Sequence, residues 1–125
     1  MSADFDATFT ALREVFAGEL KHLAVAKDTD TQYTLNTLVN SPFPQHKGEP
    51  MYFGSVRKGK AYVSVHLFPL YMNAPLTATI SPTLKKRMQG LTCFNFKTVP
   101  DAALLKELKT LSKAGMKAFR ERKWA

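Results

Sequence analysis

Along the first part of the chain, apolar residues recur at every third or fourth position, which is the spacing of a helix with one buried face. Six residues form this stripe: Phe5, Phe9, Leu12, Phe16, Leu20 and Leu23. The pattern predicts an amphipathic helix from Asp4 to about Ala26 whose apolar stripe packs into the core. The opposite face mixes acidic and basic residues, which favours a core helix over one that lies on a membrane.

The next segments alternate apolar and polar residues, as half-buried strands do. Residues 32–39, QYTLNTLV, are predicted to form a strand, and a proline-rich loop follows at 40–50. Strands at Met51–Val56 and Ala61–Phe68 flank RKGK, a glycine-containing connection typical of a hairpin. Alternation in the second strand separates a face that we expect to contact the helices from a polar and aromatic face: Ala61, Val63, Val65 and Leu67 against Tyr62, Ser64, His66 and Phe68.

The remaining segments read as a helix, a strand and a helix. Ser81 is a good N-cap for a short helix from Pro82 to about Gln89, and Gly90 suits its C-terminal end. Residues 91–97, LTCFNFK, alternate as a strand, with Phe94 and Phe96 expected in the core and Cys93, Asn95 and Lys97 opposite. A helix from Asp101 to about Lys123 follows, and Gly115 is a candidate point for a bend or a division in it.

The predicted element order is therefore α-β-β-β-α-β-α. Mixed order with a hairpin is typical of an α+β fold. We expect a compact two-layer α/β sandwich in which an antiparallel sheet carries helices on one face. Residues 1–125 are predicted to form a single domain.

The net charge of the chain favours certain classes of binding partner. Eighteen Lys and Arg against ten Asp and Glu give a net charge of +8, which favours small anionic molecules, acidic proteins or nucleic acid. A basic surface that is merely solvated is the alternative. The single cysteine excludes an internal disulfide and a multi-cysteine zinc site. No apolar run is long enough to span a membrane and the N-terminus lacks a basic signal region, so we expect a cytoplasmic protein with no membrane partner.

Four stretches, MYFGSV, GKAYVSVHLFPLY, ISPTLKKRMQGLTCFNFK and DAALLKELKTL, resemble the YdhG-like family of bacterial domains of largely unknown function. The resemblance covers roughly residues 5 to 120. It implies a frataxin-like sandwich and, as in an iron chaperone, the handling of iron. The first helix offers carboxylates for such a role at Asp4, Asp6, Glu14 and Glu19, with Arg13 and Lys21 among them.

The polar side of the predicted sheet is the first candidate site. Tyr62, His66 and Cys93 supply a phenol, an imidazole and a thiol, which suit a small ligand or a soft metal, and Arg87 and Lys85 would add positive charge. An ordinary solvated sheet face is the alternative. Cys93 could be a nucleophile with His66 as its base if their strands are neighbours, but a structural thiol is favoured.

Aromatic residues near the proline-rich loop form another candidate. Tyr52, Phe53 and Tyr71 could line a pocket beside residues 42–50, or they could form the rim of the core. The sequence leaves these two interpretations equal.

The last predicted helix carries a basic stripe. Its members recur every three or four residues: Lys106, Lys109, Lys113, Lys117 and Arg120. Such a stripe could bind nucleic acid weakly and without sequence preference, or it could be the solvated face of an amphipathic helix.

Together these patterns favour a small binding or chaperone-like domain with an undefined ligand and no enzymatic activity. No cofactor is predicted, and iron enters only through the family resemblance. Iron handling and weak nucleic-acid binding through the last helix are the alternatives.

Overall fold

The computed structural model describes residues 2–40, 44, 47–72, 74–90 and 92–123, and the side chains of these residues except 2–4, 72 and 74. Within this part of the chain four α-helices occur: α1 Ser2–Arg13, α2 Ala74–Thr77, α3 Pro82–Lys85 and α4 Ala102–Glu121. Six strands accompany them: β1 Leu23–Asp28, β2 Gln32–Asn40, β3 Pro50–Lys58, β4 Val63–Leu67, β5 Met88–Gln89 and β6 Cys93–Phe96. Two 3₁₀ helices span Glu14–His22 and Phe68–Met72.

All six strands pair antiparallel in one open sheet of order β1-β2-β3-β4-β6-β5. The predicted α+β class is confirmed, and the arrangement is compatible with a two-layer sandwich. The predicted element order is wrong, because two strands and one helix had no counterpart in it. No helix in the described ranges is long and apolar enough to cross a membrane.

The predicted first helix is too long. The α-helix ends at Arg13, a 3₁₀ helix continues to His22, and Leu23–Asp28 forms the edge strand β1. Leu23 is buried opposite Thr37 of β2, so strand pairing overrides a spacing that is equally compatible with a helix. Leu20, predicted to be buried, is 39% exposed.

The alternating strands are confirmed. Val63, Val65 and Leu67 are buried, as are Phe94 and Phe96, whereas Ala61 is exposed before β4 begins. The predicted helix at 82–89 is wrong beyond Lys85, because Met88 and Gln89 pair with β6 as the edge strand β5. The proline-rich loop joins β2 to β3, and residues 41–43, 45 and 46 within it lie outside the described residues.

A β-bulge in β3 decides which side chains face the helices. Leu35 pairs with Gly54, and the next residue of β2, Asn36, pairs with Tyr52, so Phe53 is the extra residue. A Cβ on Gly54 would lie 2.6 Å from the Phe16 ring. Phe53 and Gly54 therefore both face the helices, and the residues on either side of them, Tyr52 and Ser55, face the opposite surface.

Aromatic contacts fix two chain segments on the helix side of the sheet. The Phe53 ring meets the Phe16 ring at 6.1 Å and the Phe119 ring at 5.5 Å, both edge to face. Phe16 belongs to the first 3₁₀ helix and Phe119 to α4. These contacts bury one sheet face under the helices.

Gly115 permits a close contact of α4 and does not divide the helix as the sequence suggested. The helix runs unbroken through Gly115, so the expected division there is wrong. A Cβ at this position would lie 2.7 Å from Cβ of Pro69 in the second 3₁₀ helix. The glycine lets α4 approach that segment closely.

We expect Gly115→Ala to lower the free energy of unfolding by about 1–2 kcal/mol, because the overpacking exceeds the gain in helix propensity. Urea unfolding followed by circular dichroism measures the change. Gly18→Ala is the matched control, since nothing lies within 4 Å of its added Cβ. A Gly115→Ala protein at least as stable as the parent would contradict the close contact.

Candidate functional site

Strand register brings the predicted sheet residues together. His66 of β4 lies between Ser55 of β3 and Cys93 of β6. Two residues away in β4, Ser64 lies between Arg57 of β3 and Asn95 of β6 in the same way. These side chains, with those of β2 at Thr34 and Asn36, form a surface that α1 and α4 do not cover, which we call the polar face.

Asn95 connects three strands of the polar face. Its Oδ1 accepts hydrogen bonds from the Ser64 hydroxyl at 2.6 Å and from the Cys93 thiol at 3.4 Å. Its Nδ2 donates to Oε1 of Gln89 in β5 at 2.8 Å. Asn95 thus holds Ser64, Cys93 and Gln89 in one hydrogen-bonded group.

Burial keeps the central pair of the polar face uncharged. It lowers the pKa of His66, and the nearby Arg57 cation lowers it further. Burial raises the pKa of the Cys93 thiol, an effect that the nearby Ser64 hydroxyl opposes. Near neutral pH the pair is therefore a neutral imidazole beside a thiol, which favours the structural interpretation of Cys93 over a nucleophile.

Aromatic side chains border the polar face. The Tyr52 and Ser55 hydroxyls are hydrogen-bonded to each other, and burial raises the pKa of Tyr52. The Tyr52 ring lies 5.9 Å from the Phe68 ring, which stacks on the exposed Tyr71. Tyr52 and Tyr71 therefore stand apart from Phe53, which belongs to the core. The loop residues predicted to join them at 42, 43, 45 and 46 lie outside the described residues.

A basic cleft of about 580 Å³ lies where the polar face meets the β5 edge, and we call it the edge cleft. Its lining combines three cations with an aromatic ring, two amides and a thioether: Lys86, Arg87, Lys97, Tyr62, Gln89, Asn95 and Met88. The ammonium of Lys97 lies 5.4 Å from the centre of the Tyr62 ring. No carboxylate is among the described residues of this lining, so the cleft is electropositive.

The structure thus divides the predicted site into two parts. Tyr62 and Arg87 line the edge cleft, and His66 and Cys93 lie in the middle of the polar face. Asn95 belongs to both parts. Lys85 is exposed on α3 but is not part of the cleft lining, which takes its neighbour Lys86 instead.

The short helix that carries this basic segment is fixed to α4. Glu107 of α4 accepts the Ser81 N–H and the Ser81 hydroxyl, each at 2.7 Å. The same Ser81 oxygen caps α3 by accepting the Leu84 N–H at 3.1 Å. This contact places Lys86 and Arg87 against the β5 edge.

The basic stripe of α4 lies on the helix side of the molecule, away from the polar face. All five members are exposed: Lys106, Lys109, Lys113, Lys117 and Arg120. Three of them, Lys113, Lys117 and Arg120, line a cleft between α4 and the first 3₁₀ helix. The structure therefore does not join the two predicted groups of cations into one surface.

The carboxylates of the first helix do not form a ridge. Asp6 makes an ion pair with Lys58, and Glu14 and Glu19 lie in a cleft beside Lys109 and Lys113. The side chain of Asp4 lies outside the described residues. Across the described residues no group of three or more His, Cys, Asp and Glu side chains could hold a metal ion.

The pairing of the strands accounts for the site residues that were not predicted from the sequence. Phe94 and Phe96 in the core put Asn95 and Lys97 on the same side as Cys93, and this alternation was available in the sequence. Gln89 was hidden because the predicted helix ran through it. Tyr52 and Ser55 meet only because of the bulge, for which the sequence carries no clear signal.

A scan against models of known families, a search of curated proteins and a search of solved structures found no match to this chain. The polar face and its edge cleft are therefore the features of the chain that bear most directly on its function.

We expect Glu107→Ala to cost about 2 kcal/mol in unfolding free energy, because it leaves the Ser81 N–H without its charged acceptor. Amide hydrogen exchange should show faster opening at Leu84, whose N–H donates to the N-cap oxygen of Ser81. Glu121→Ala on the exposed end of α4 is the control. Unchanged exchange at Leu84 would mean that Glu107 does not hold α3.

We expect the pKa of His66 to lie below its ordinary value of 6.5 and to rise in Arg57→Gln, which removes the second cause of the shift. Because the pKa of His66 is lower in the folded state than in the unfolded state, folding favours the neutral imidazole. The contribution of His66 to the free energy of unfolding is therefore full above about pH 6.5. It falls as the pH falls, because the unfolded state takes up the proton first.

Imidazole NMR signals measured against pH test this expectation, with His66→Gln assigning the resonance. Urea unfolding at several pH values should show that His66→Gln loses this part of the pH dependence. A His66 pKa at or above the ordinary value would contradict the burial of the ring.

Proposed function

We propose that this protein is a small binding domain that holds an anionic small molecule in the edge cleft and along the adjoining polar face. The observation that carries the proposal is the composition of the edge cleft. Three cations converge there, and the described lining contains no carboxylate to neutralise them. Such a site attracts anions and repels cationic ligands.

The individual side chains support this assignment. Arg87 can donate two parallel hydrogen bonds to a carboxylate or a phosphate, and Lys86 and Lys97 add point charges. Gln89 and Asn95 supply amides, and Tyr62, which is 41% exposed, offers a ring face. A volume of about 580 Å³ suits a small molecule.

The polar face extends the site towards a ligand's uncharged part. His66 and Cys93 are neutral near pH 7, so they can make hydrogen bonds without adding charge. Asn95 orients Cys93 relative to the cleft through its bond with the thiol. We assign the anion-binding role to Arg87, Lys86 and Lys97, and a positioning role to Asn95.

Iron handling has less support. It rests on the resemblance to the YdhG-like family and on the frataxin-like fold which that family implies. The described carboxylates of the first helix lie beside lysines or in an ion pair, so these residues do not fit an acidic iron-binding ridge.

Calorimetric titration with inorganic pyrophosphate tests the proposal. We expect saturable binding that Arg87→Gln and Lys97→Gln each weaken about tenfold, because each removes a charged contact worth about 1.4 kcal/mol. Lys106→Gln is the matched control, as it removes the same charge from an exposed position on α4.

Equal weakening by Lys106→Gln would show that net charge alone attracts the anion. Absence of saturable binding by the parent protein at low salt would contradict the proposal.

A further inference from the structure

A second cleft lies on the helix side of the molecule, away from the edge cleft. It has a volume of about 720 Å³ and runs between the first 3₁₀ helix and the second half of α4, and we call it the helix cleft. One wall carries Gly18, Lys21 and His22. The other includes Lys113 and Met116. The proposed function does not use this cleft.

The floor of the helix cleft is apolar. Gly18 leaves open space, because no heavy atom lies within 4 Å of where its Cβ would be. Met116 and Ala114 of α4 line the same cleft, and Met116 is almost completely buried. The aliphatic stems of the flanking lysines extend the apolar surface. A hydrocarbon chain would be desolvated there.

The rim of the helix cleft is cationic. Four exposed basic residues, Lys21, Lys113, Lys117 and Arg120, outnumber the two carboxylates of the lining, Glu19 and Glu121. In the described part of the chain, ion pairs join Arg13 to Asp28 and Lys58 to Asp6. The rim cations therefore remain available to an external anion.

We propose that the helix cleft binds a single-chain anionic amphiphile, with a carboxylate or phosphate headgroup on the cationic rim and an aliphatic chain over Gly18 and Met116. The volume lies within the range typical of small-molecule sites. The imidazole of His22 is the one aromatic ring among the described residues of the lining, which therefore offers no row of rings on which successive bases of single-stranded nucleic acid could stack. An apolar floor beneath a charged rim matches an amphiphile better than a polynucleotide backbone.

Methionine methyl groups provide a direct readout. Met116 lines the helix cleft and Met88 lines the edge cleft, so NMR of methyl-¹³C methionine separates the two sites in one sample. Met116→Leu and Met88→Leu assign the signals. The probes are dodecanoate, dodecyl phosphate and uncharged dodecanol, all below their aggregation concentrations, and a short oligothymidylate.

We expect dodecanoate and dodecyl phosphate to shift the Met116 signal saturably, and at lower concentration than any shift of Met88, because the edge cleft offers the headgroup cations but no apolar floor for the chain. The tighter of the two identifies the preferred headgroup, and dodecanol should bind at least tenfold more weakly than either. Lys117→Gln and Arg120→Gln should each weaken binding of the anions severalfold, whereas Lys106→Gln, outside the cleft, should not. Gly18→Leu should fill the floor and abolish binding without changing the charge.

Three results would overturn the proposal: no saturable shift of Met116 with either anionic probe, equal affinity for dodecanol, or a Met116 shift by oligothymidylate at lower concentration than by the amphiphiles. The last result would support the nucleic-acid interpretation of the basic stripe instead. If Gly18→Leu does not fold, the two rim variants and the dodecanol comparison still decide.

Discussion

The structure depends on the position of Phe53 between two other aromatic rings. Phe16 and Phe119 meet it edge to face, at 6.1 and 5.5 Å, and so hold the first 3₁₀ helix and α4 on one side of the sheet. Gly54 makes this arrangement possible, because any side chain there would collide with the Phe16 ring. The bulge at these two residues therefore fixes the covered face of the sheet and, by exclusion, the polar face.

The same bulge shapes the proposed binding surface. It turns Tyr52 and Ser55 towards the polar face, where they border His66 and Cys93. Basic residues gather at two separate places, the edge cleft on the sheet and the helix cleft beneath α4. The cations of the edge cleft have polar surroundings and those of the helix cleft border an apolar floor, which favours a different class of anion at each.

Sequence patterns predicted those parts of the fold that depend only on residues close together in the chain. Alternation assigned the faces of β4 and β6 correctly, since the side-chain period of a strand is fixed. The helical spacing through Leu23 failed because β1 is stabilised by its pairing with β2, which the segment itself does not encode. Likewise, His66 and Cys93 could be assigned to one face, but only the register of β4 against β6 makes them neighbours. The hydrogen bonds of Asn95 and the bulge in β3 depend on such pairings, and no local pattern reports them.

The proposed site depends on the register that places His66 directly opposite Cys93 on the polar face. Leu67 N–H donates to the Thr92 carbonyl at 2.9 Å, so His66 and Cys93 occupy a non-hydrogen-bonded pair, where the strands approach most closely. Oxidation of His66→Cys, followed by mass spectrometry, tests the claim most directly, because the spacing of such a pair falls within the range that a disulfide spans. We expect an intramolecular disulfide between position 66 and Cys93 in the folded protein, and none in the Thr34→Cys control, because β3 and β4 separate β2 from β6. A free thiol pair in His66→Cys, or a disulfide in Thr34→Cys, would contradict the strand order and register and with them the proposed site.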